Sequence, residues 1–263
     1  MPTENITKTK GQVGIMQKGV KFRIYPNKEQ QSLINQTLGC CRLIYNKGLA
    51  MRNAACQSDE KIGYSQTSAM LTDLKKDDDF AFLKAVDSIA LQQSLRDLNR
   101  GFVNFFQKRA GYPQFKSRHN RHQSYRTVNQ GDNIRIVGRY LKLPKLGYVK
   151  VHQSMETGKI KNVTIEHTPT GKYFAVLNVE FDPLPRKNQG GTIGIDVGIK
   201  AFYSDSNGNV VSNPKYLEKS MRKLIREQRK LSRRQKGSHN RSRQRVKAAL
   251  VHEKITNQRN DFL

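Results

Sequence analysis

Acidic side chains are scarce in this chain: 21 Asp and Glu face 48 Lys and Arg, a formal charge of +27 over 263 residues. Self-repulsion of that size works against a compact state unless a polyanion neutralises it. DNA, RNA and an anionic membrane all qualify. Long apolar runs are missing as well. No stretch approaches the roughly 20 residues that cross a bilayer, and Met1–Val20 lacks the apolar core of a secretory signal. Membrane is thus the weakest of the three partners, and a cytoplasmic, nucleoid-associated place is expected. Only three cysteines occur, Cys40, Cys41 and Cys56, with no C-x-x-C pair. That excludes a disulfide framework and a zinc site built on them. Cys40 and Cys41 are adjacent in a predicted helix and cannot share a face, so all three read as packing residues. Apolar residues make up 36%, which allows small cores or cores shared with a partner. No repeat of solenoid period is present.

What is there falls into periodic segments. Residues 20–25 alternate apolar and basic, a half-buried strand that Pro26 stops. Asn27 with Gln30 three later forms a variant helix capping box, and the helix runs to about Cys56 on the stripe Leu33, Ile34, Leu38, Cys41, Tyr45 and Leu49. A short helix near 66–76 precedes the acidic run Asp77–Asp79. A longer one at 88–109 packs through Leu91, Leu95, Leu98, Phe102 and Phe105, with Arg96, Arg100, Lys108 and Arg109 on its other face. From 111 to 185, Gly and Pro punctuate short β-branched or aromatic runs at 134–137, 140–143, 148–151, 161–165 and 173–181, which predicts antiparallel strands. Residues 182–191 read as a linker. Thr192–Gly198 is expected to be a buried strand, with two more strands after it and helix from Pro214.

Residues 215–247 hold fourteen Lys or Arg against two Glu. Leu217, Met221, Leu224 and Leu231 form an apolar stripe there, and a second helix carries Val246 and Leu250. One docked face and one very basic face predict contact with nucleic acid, because a plainly solvated helix mixes its signs. The basic candidates are Arg222, Lys223, Arg226, Arg229, Lys230, Arg233 and Arg234. A second group sets aromatics among cations: Tyr112, Phe115, Lys116, Arg118, Arg121, Tyr125 and Arg126. Stacking of unpaired bases together with phosphate neutralisation is the usual RNA solution; packing of the Tyr112 and Phe115 rings into the fold is the alternative. His119 and His122 suit phosphate or solvent, and the six histidines show no metal spacing.

Asp196 lies in Ile193-Gly-Ile-Asp-Val-Gly198. A carboxylate in an apolar strand needs a partner or ligand. Flanking glycines let a nucleic-acid backbone come close, which is how ribonuclease-H-like folds present a first metal carboxylate. Sugar-kinase and actin-type folds begin with similar strands, and an Asp that merely caps a turn is the bland alternative.

Five motifs in order then become specific. Phe22-Arg-Ile-Tyr-Pro-Asn-Lys-Glu-Gln30, Gly39-Cys-Cys-Arg-Leu-Ile-Tyr-Asn46, Asn104-Phe-Phe106, Gly111-Tyr-Pro-Gln-Phe-Lys116 and Gly194–Gly198 precede a Lys/Arg-rich helical segment. In this order the chain resembles the TnpB (OrfB) family of transposon-encoded RNA-guided DNA endonucleases, relatives of type V CRISPR effectors. The resemblance implies a mixed α/β multidomain fold: a split, wedge-like β-barrel with an inserted helical recognition domain, then an incomplete RuvC (ribonuclease-H-like) domain. The implied layout is an unordered arm at 1–19, a first barrel strand and N-terminal helix at 20–60, and a helical recognition domain at 61–110. A β-barrel wedge domain at 111–185 and a partial RuvC-like domain at 186–263 complete it.

The family motif also marks Arg42, Tyr45 and Asn46 as nucleic-acid contacts, although Tyr45 in a helix core braced by its two neighbours reads equally well. Guide RNA from the transposon end and target DNA are the implied partners, with a partner transposase of the same element as another. The family's nuclease site holds Mg²⁺ on three acidic residues. Only the first maps here, onto Asp196, and the family's zinc ribbon of paired cysteines has no counterpart. Glu218, Glu227 and Glu253 fall on helices and are not promoted. Little or no cleavage is therefore expected, and a non-catalytic DNA- or RNA-binding repressor or regulator of transposition is the rival reading.

Overall fold

A computed structural model describes residues 16–58, 60–120, 122–152, 158–181 and 190–263. The chain divides into two units, Met1–Pro183 and Leu184–Leu263. The larger is built on a seven-stranded antiparallel sheet in the order β2-β6-β7-β1-β5-β4-β3. Its strands are β1 (Met16–Tyr25), β2 (Gln123–Val128), β3 (Arg135–Val137), β4 (Tyr140–Leu143), β5 (Gly147–Val151), β6 (Ile160–His167) and β7 (Tyr173–Phe181). Three helices, α1 (Lys28–Gln57), α2 (Tyr64–Leu74) and α3 (Ser88–Phe106), and a 3-10 turn at Asp78–Lys84 enter between β1 and β2. The fold is thus mixed α/β with a large antiparallel sheet.

Strand β1 begins inside the segment expected to be an unordered arm. Met16 to Gly19 pair with Phe181 to Asn178, so ladder hydrogen bonds extend the strand through a stretch with no apolar alternation of its own. The rest of that expected arm, residues 1–15, and most of the expected linker, 182–189, lie outside the described residues.

Helix α1 starts where its sequence dictates. The Asn27 side chain accepts from the Gln30 amide at 2.8 Å, and the Gln30 side chain accepts from the Asn27 amide at 3.0 Å. Gln30 also donates to the carbonyls of Leu146 and Tyr148, so one side chain both caps α1 and ties it to β5. Ile34, Leu38, Cys40, Cys41 and Ile44 then join Leu91 and Leu95 of α3 and the inward residues of the sheet in one core. A smaller cluster, Tyr45, Leu49, Leu98 and Phe102, zips α1 to α3. Cys40 and Cys41 are buried as packing residues, whereas Cys56, expected to pack as well, is exposed.

Strand β2 replaces what reads in sequence as a polar, RNA-facing stretch. Tyr125 and Thr127 point into the core, opposite Ile165 and Val163 of β6. Burial drives the Tyr125 phenol well above its ordinary range, and the ring is no stacking platform for RNA.

The smaller unit has a three-stranded sheet in the order β10-β9-β8, made of β8 (Ile195–Asp196), β9 (Ala201–Asp205) and β10 (Val210–Ser212). Two helices follow, α4 (Tyr216–Ser232) and α5 (His239–Phe262). The strand expected across 192–198 is only two residues long and is not buried. Ile193, Ile195, Val197 and Ile199 are all exposed, Val197 by 72% and Ile199 by 88%. Among the described residues β8 pairs with β9 alone, and an apolar strand is buried only when neighbours cover it.

Candidate nucleic-acid interface

Helices α4 and α5 form an antiparallel hairpin around a small core of Leu224, Val251 and Ile255. A buried polar pair sets its register. Gln244 of α5 donates to the Glu227 carboxylate at 2.7 Å and to the Glu227 carbonyl at 3.1 Å. That hydrogen bond, with Lys230 and Arg226 nearby, holds the Glu227 carboxyl below the usual glutamate range against the opposing effect of burial. Arg241 closes the hairpin by donating to the carbonyls of Leu231 and Arg234, at and just beyond the end of α4. At the other end, Phe262 meets the rings of Phe202 and Tyr216, which fastens α5 to β9.

With Leu224 and Glu227 turned inward, all seven basic candidates of α4 and the residues just after it stand in solvent: Arg222, Lys223, Arg226, Arg229, Lys230, Arg233 and Arg234. The first and last of the row 222–226–229–233 are about 17 Å apart along the axis at 1.5 Å per residue. Arg226 and Lys230 flank Glu227 at 3.5 and 3.6 Å. The stripe expected to dock this helix is corrected in part: Leu224 is buried, but Leu217 and Met221 are exposed. On α5 the expected Val246 and Leu250 face outward, and Gln244, Ala248, Val251 and Ile255 face the partner helix.

The second expected group separates. Arg118 is exposed, and Arg121 lies outside the described residues. Lys116 belongs to a latch. Asn46 donates to the Lys116 carbonyl at 3.0 Å and accepts from its amide at 2.8 Å, while the Lys116 ammonium sits 4.1 Å from the centroid of the Tyr45 ring. Burial pulls that ammonium below the ordinary lysine range, with Asp97 pulling it back. Tyr45 is buried, Arg42 half-buried. The loop at 111–116 is fixed further by Tyr112, which donates to Asn53 at 2.7 Å and meets Phe102 and Phe105 edge-on. Arg126 is ion-paired with Asp97 of α3. Next to it, Thr127 donates to Asp87, which also caps α3 through the Ile89 amide. Tyr45, Asn46, Lys116 and Arg126 thus help to assemble α1, α3, the loop and β2: Asn46 and Arg126 through hydrogen bonds, and Lys116, itself exposed, through the Tyr45 ring.

Asp196 stands exposed on β8 opposite Ser204. Its flanking glycines sit close to β9: a Cβ on Gly198 would lie 3.3 Å from the Ala201 carbonyl. Magnesium needs several oxygen ligands in near-octahedral array, and no group of three or more His, Cys, Asp or Glu able to hold a metal occurs among the described residues. The described residues therefore do not by themselves fit a metal site. Among them, no helix is long and apolar enough to cross a membrane.

These features define a mixed α/β protein whose smaller unit presents the surface chemistry of a polyanion binder. Comparison with known proteins makes this specific. A family model described as "Probable transposase" matches residues 165–263, and one described as "Helix-turn-helix domain" matches residues 16–61. In the structure the latter segment holds β1 and the single continuous helix α1. The chain is 36% identical over 253 residues to a Streptomyces pristinaespiralis protein named "Putative RNA-guided DNA endonuclease", covering 94% of this chain and 62% of that one. It is 33% identical over 246 residues to "Putative RNA-guided DNA endonuclease InsQ" of Escherichia coli (strain K12), covering 92% and 60%. A 117-residue stretch is 34% identical to "Virulence protein VsdF" of Salmonella dublin, covering 40% of this chain and 96% of that one. In fold, the chain is similar to one solved in "Cryo-EM structure of the Cas12f1-sgRNA-target DNA complex", with a TM-score of 0.50 at 11% identity, over 94% of this chain and 76% of that one. The chain belongs to the TnpB/OrfB family of mobile-element proteins. It spans about three fifths of the length of the two endonuclease-named relatives.

Proposed function

We propose that this chain is the nucleic-acid-binding portion of a TnpB-like RNA-guided DNA endonuclease, which binds a guide RNA from the transposon end and a target DNA. The observation that carries the reading is the α4–α5 hairpin: seven exposed cations on and just beyond one helix, presented by a helix pair whose register is pinned by Glu227 and Gln244. Such a row neutralises phosphates without reading bases. The two relatives named as RNA-guided DNA endonucleases support the same reading. In it, the seven-stranded sheet with its inserted helices corresponds to the wedge-like barrel and recognition domain, and the smaller unit to part of a RuvC-like domain. Asp196 is then one carboxylate of a Mg²⁺-dependent site whose other ligands are not among the described residues. Arg42 and Arg118 remain candidate contacts of the larger unit.

A second reading, a DNA- or RNA-binding regulator of transposition without nuclease activity, is favoured by the exposed, unclustered Asp196. One experiment separates the two. The chain is copurified with RNA from its flanking locus and assayed for plasmid cleavage with Mg²⁺, beside Asp196→Ala. Selective retention of the element-end RNA over random RNA of equal length is expected, without guide-dependent cutting. Loss of that selectivity refutes guide binding. Cutting abolished by Asp196→Ala removes the regulator reading.

A further inference from the structure

The outer face of β1, β5, β4 and β3 carries a surface to which none of the candidate site residues above belongs. These strands alternate. Ile24, Leu141, Leu143, Val149 and Val151 go to the core, and their neighbours face solvent. The register then sets a lattice. Lys150 lies opposite both Tyr25 and Tyr140, and Lys142 lies opposite both Tyr148 and Arg135. Residues two apart on a strand share a face, so Tyr140 with Lys142 and Tyr148 with Lys150 place both rows on the same side. Each of the three tyrosines therefore has a lysine directly across from it, on the neighbouring strand.

The rings are not spare core. Tyr25, Tyr140 and Tyr148 are 41%, 47% and 51% exposed. The Arg23 guanidinium lies 5.0 Å from the centroid of the Tyr25 ring. Between residues 133 and 152 the sequence has no Asp or Glu, so no carboxylate on β3, β4 or β5 answers this charge. Exposed aromatic faces interleaved with unpaired cations complement a ligand that offers flat apolar rings and anions together. Unpaired nucleobases on a phosphate backbone have that chemistry. A duplex does not, because its bases are stacked on one another and a flat sheet face reaches only its phosphates. Tyr25 and Tyr140 are two strands apart, about 10 Å, a spacing that suits bases splayed out of a strand.

We propose that this face of the sheet binds single-stranded RNA, stacking bases on Tyr25, Tyr140 and Tyr148 and holding phosphates with Arg135, Lys142 and Lys150. This rests on the RNA-binding reading above and adds to it where unpaired bases are held. The test uses the full chain, fluorescence anisotropy, and three labelled probes: a short single-stranded RNA, the same sequence as single-stranded DNA, and an RNA duplex of equal length. Tyr140→Ala and Tyr148→Ala are each expected to weaken single-stranded RNA binding by about 5- to 100-fold, the range for loss of one stacked base. Duplex binding should stay unchanged. Tyr140→Phe and Tyr148→Phe keep the ring and should stay within about twofold of the parent; they also keep the proposal testable if an alanine variant folds poorly. The proposal is overturned if the alanine variants bind single-stranded RNA as the parent does, if the phenylalanine variants lose as much as alanine, or if the loss is larger for single-stranded DNA than for single-stranded RNA. A parent chain that binds no RNA removes the RNA reading and this inference together. A parent that binds RNA with the tyrosines irrelevant removes only this inference.

Discussion

Arg126 and Arg229 read alike in sequence, as basic residues in basic segments, yet their surroundings demand opposite phenotypes. Arg126 pairs with Asp97, with one quarter of its side chain exposed, and its Nε is buried without a hydrogen-bond partner. Arg126→Ala removes a charge-assisted hydrogen bond, worth about 1.5–3 kcal/mol when shielded. Asp97 is 41% exposed, so water takes over part of that contact and the expected loss falls to about 1–2 kcal/mol. In a domain of this size that lowers the melting temperature by about 2–8 °C. The dependence of RNA affinity on salt should not change, because the guanidinium was never free to release a counterion. Arg229→Ala removes an exposed cation of α4. It should leave the melting temperature within about 1–2 °C, as surface substitutions do, and reduce the slope of log K against log salt by about 0.7–0.9. Differential scanning fluorimetry and anisotropy titrations at several salt concentrations read both quantities. An Arg126→Ala protein with parental stability and a shallower salt slope would refute the assignment of Arg126 to the fold.

Two titrations test other parts of the fold. Burial, with Cys40 beside it, pushes the Cys41 thiol from 9.0 up to about 12; a raised folded value contributes stability that is full below the unfolded value and lost as pH climbs toward the folded one. Between pH 8 and 10.5 the parent should lose about 2 kcal/mol more stability than Cys41→Ala, read by urea denaturation, and parallel curves would sink the prediction. Glu227 is shifted the other way, so its contribution is present above 4.5 and fades as pH falls through the depressed folded value. Protection of the amides over 216–262, corrected for the intrinsic exchange rate at each pH, should therefore fall on acidification in the parent and fall less steeply in Glu227→Gln; equal pH dependence would show that the Gln244 contact does not hold the hairpin.

The fold was legible wherever its cause is local. The Asn27–Gln30 box fixes the start of α1 within its own turn. The 3- and 4-residue spacing of Leu91, Leu95, Leu98 and Phe102 places the buried face of α3. The turns around Gly138, Gly147 and Gly171, all with positive φ, mark β-hairpins whose strands alternate. What stayed hidden depends on partners far along the chain. The Tyr125 and Thr127 alternation is a strand signal, but it is short and follows a run of cations. Only pairing with β6, some 40 residues on, buries it. Arg126 looks free until Asp97, 29 residues earlier, is brought beside it. On α5 the inward face reads Gln244, Ala248, Val251 and Ile255, a helical stripe obscured by its own polar member. Gln244 is inside because Glu227 needs a donor, a reason that no hydrophobic pattern expresses.

The two candidate surfaces differ in the physics of what they can hold, and this makes them separable. A row of arginines and lysines on α4 gains its affinity from released counterions, so its contribution declines steeply as salt rises and is the same for every sequence. The tyrosine rings proposed to bind on the sheet would gain theirs from stacking, which releases no counterion, with only the three cations beside them adding a salt-dependent share. At low salt the hairpin therefore dominates and masks the sheet. At raised salt its share shrinks first, and the preference for unpaired over paired RNA should sharpen as total affinity falls. A protein that bound through charge alone would lose affinity and preference together. On this proposal the +27 charge supplies attraction to any polyanion, and discrimination between strands would rest on where the few exposed rings sit among the cations.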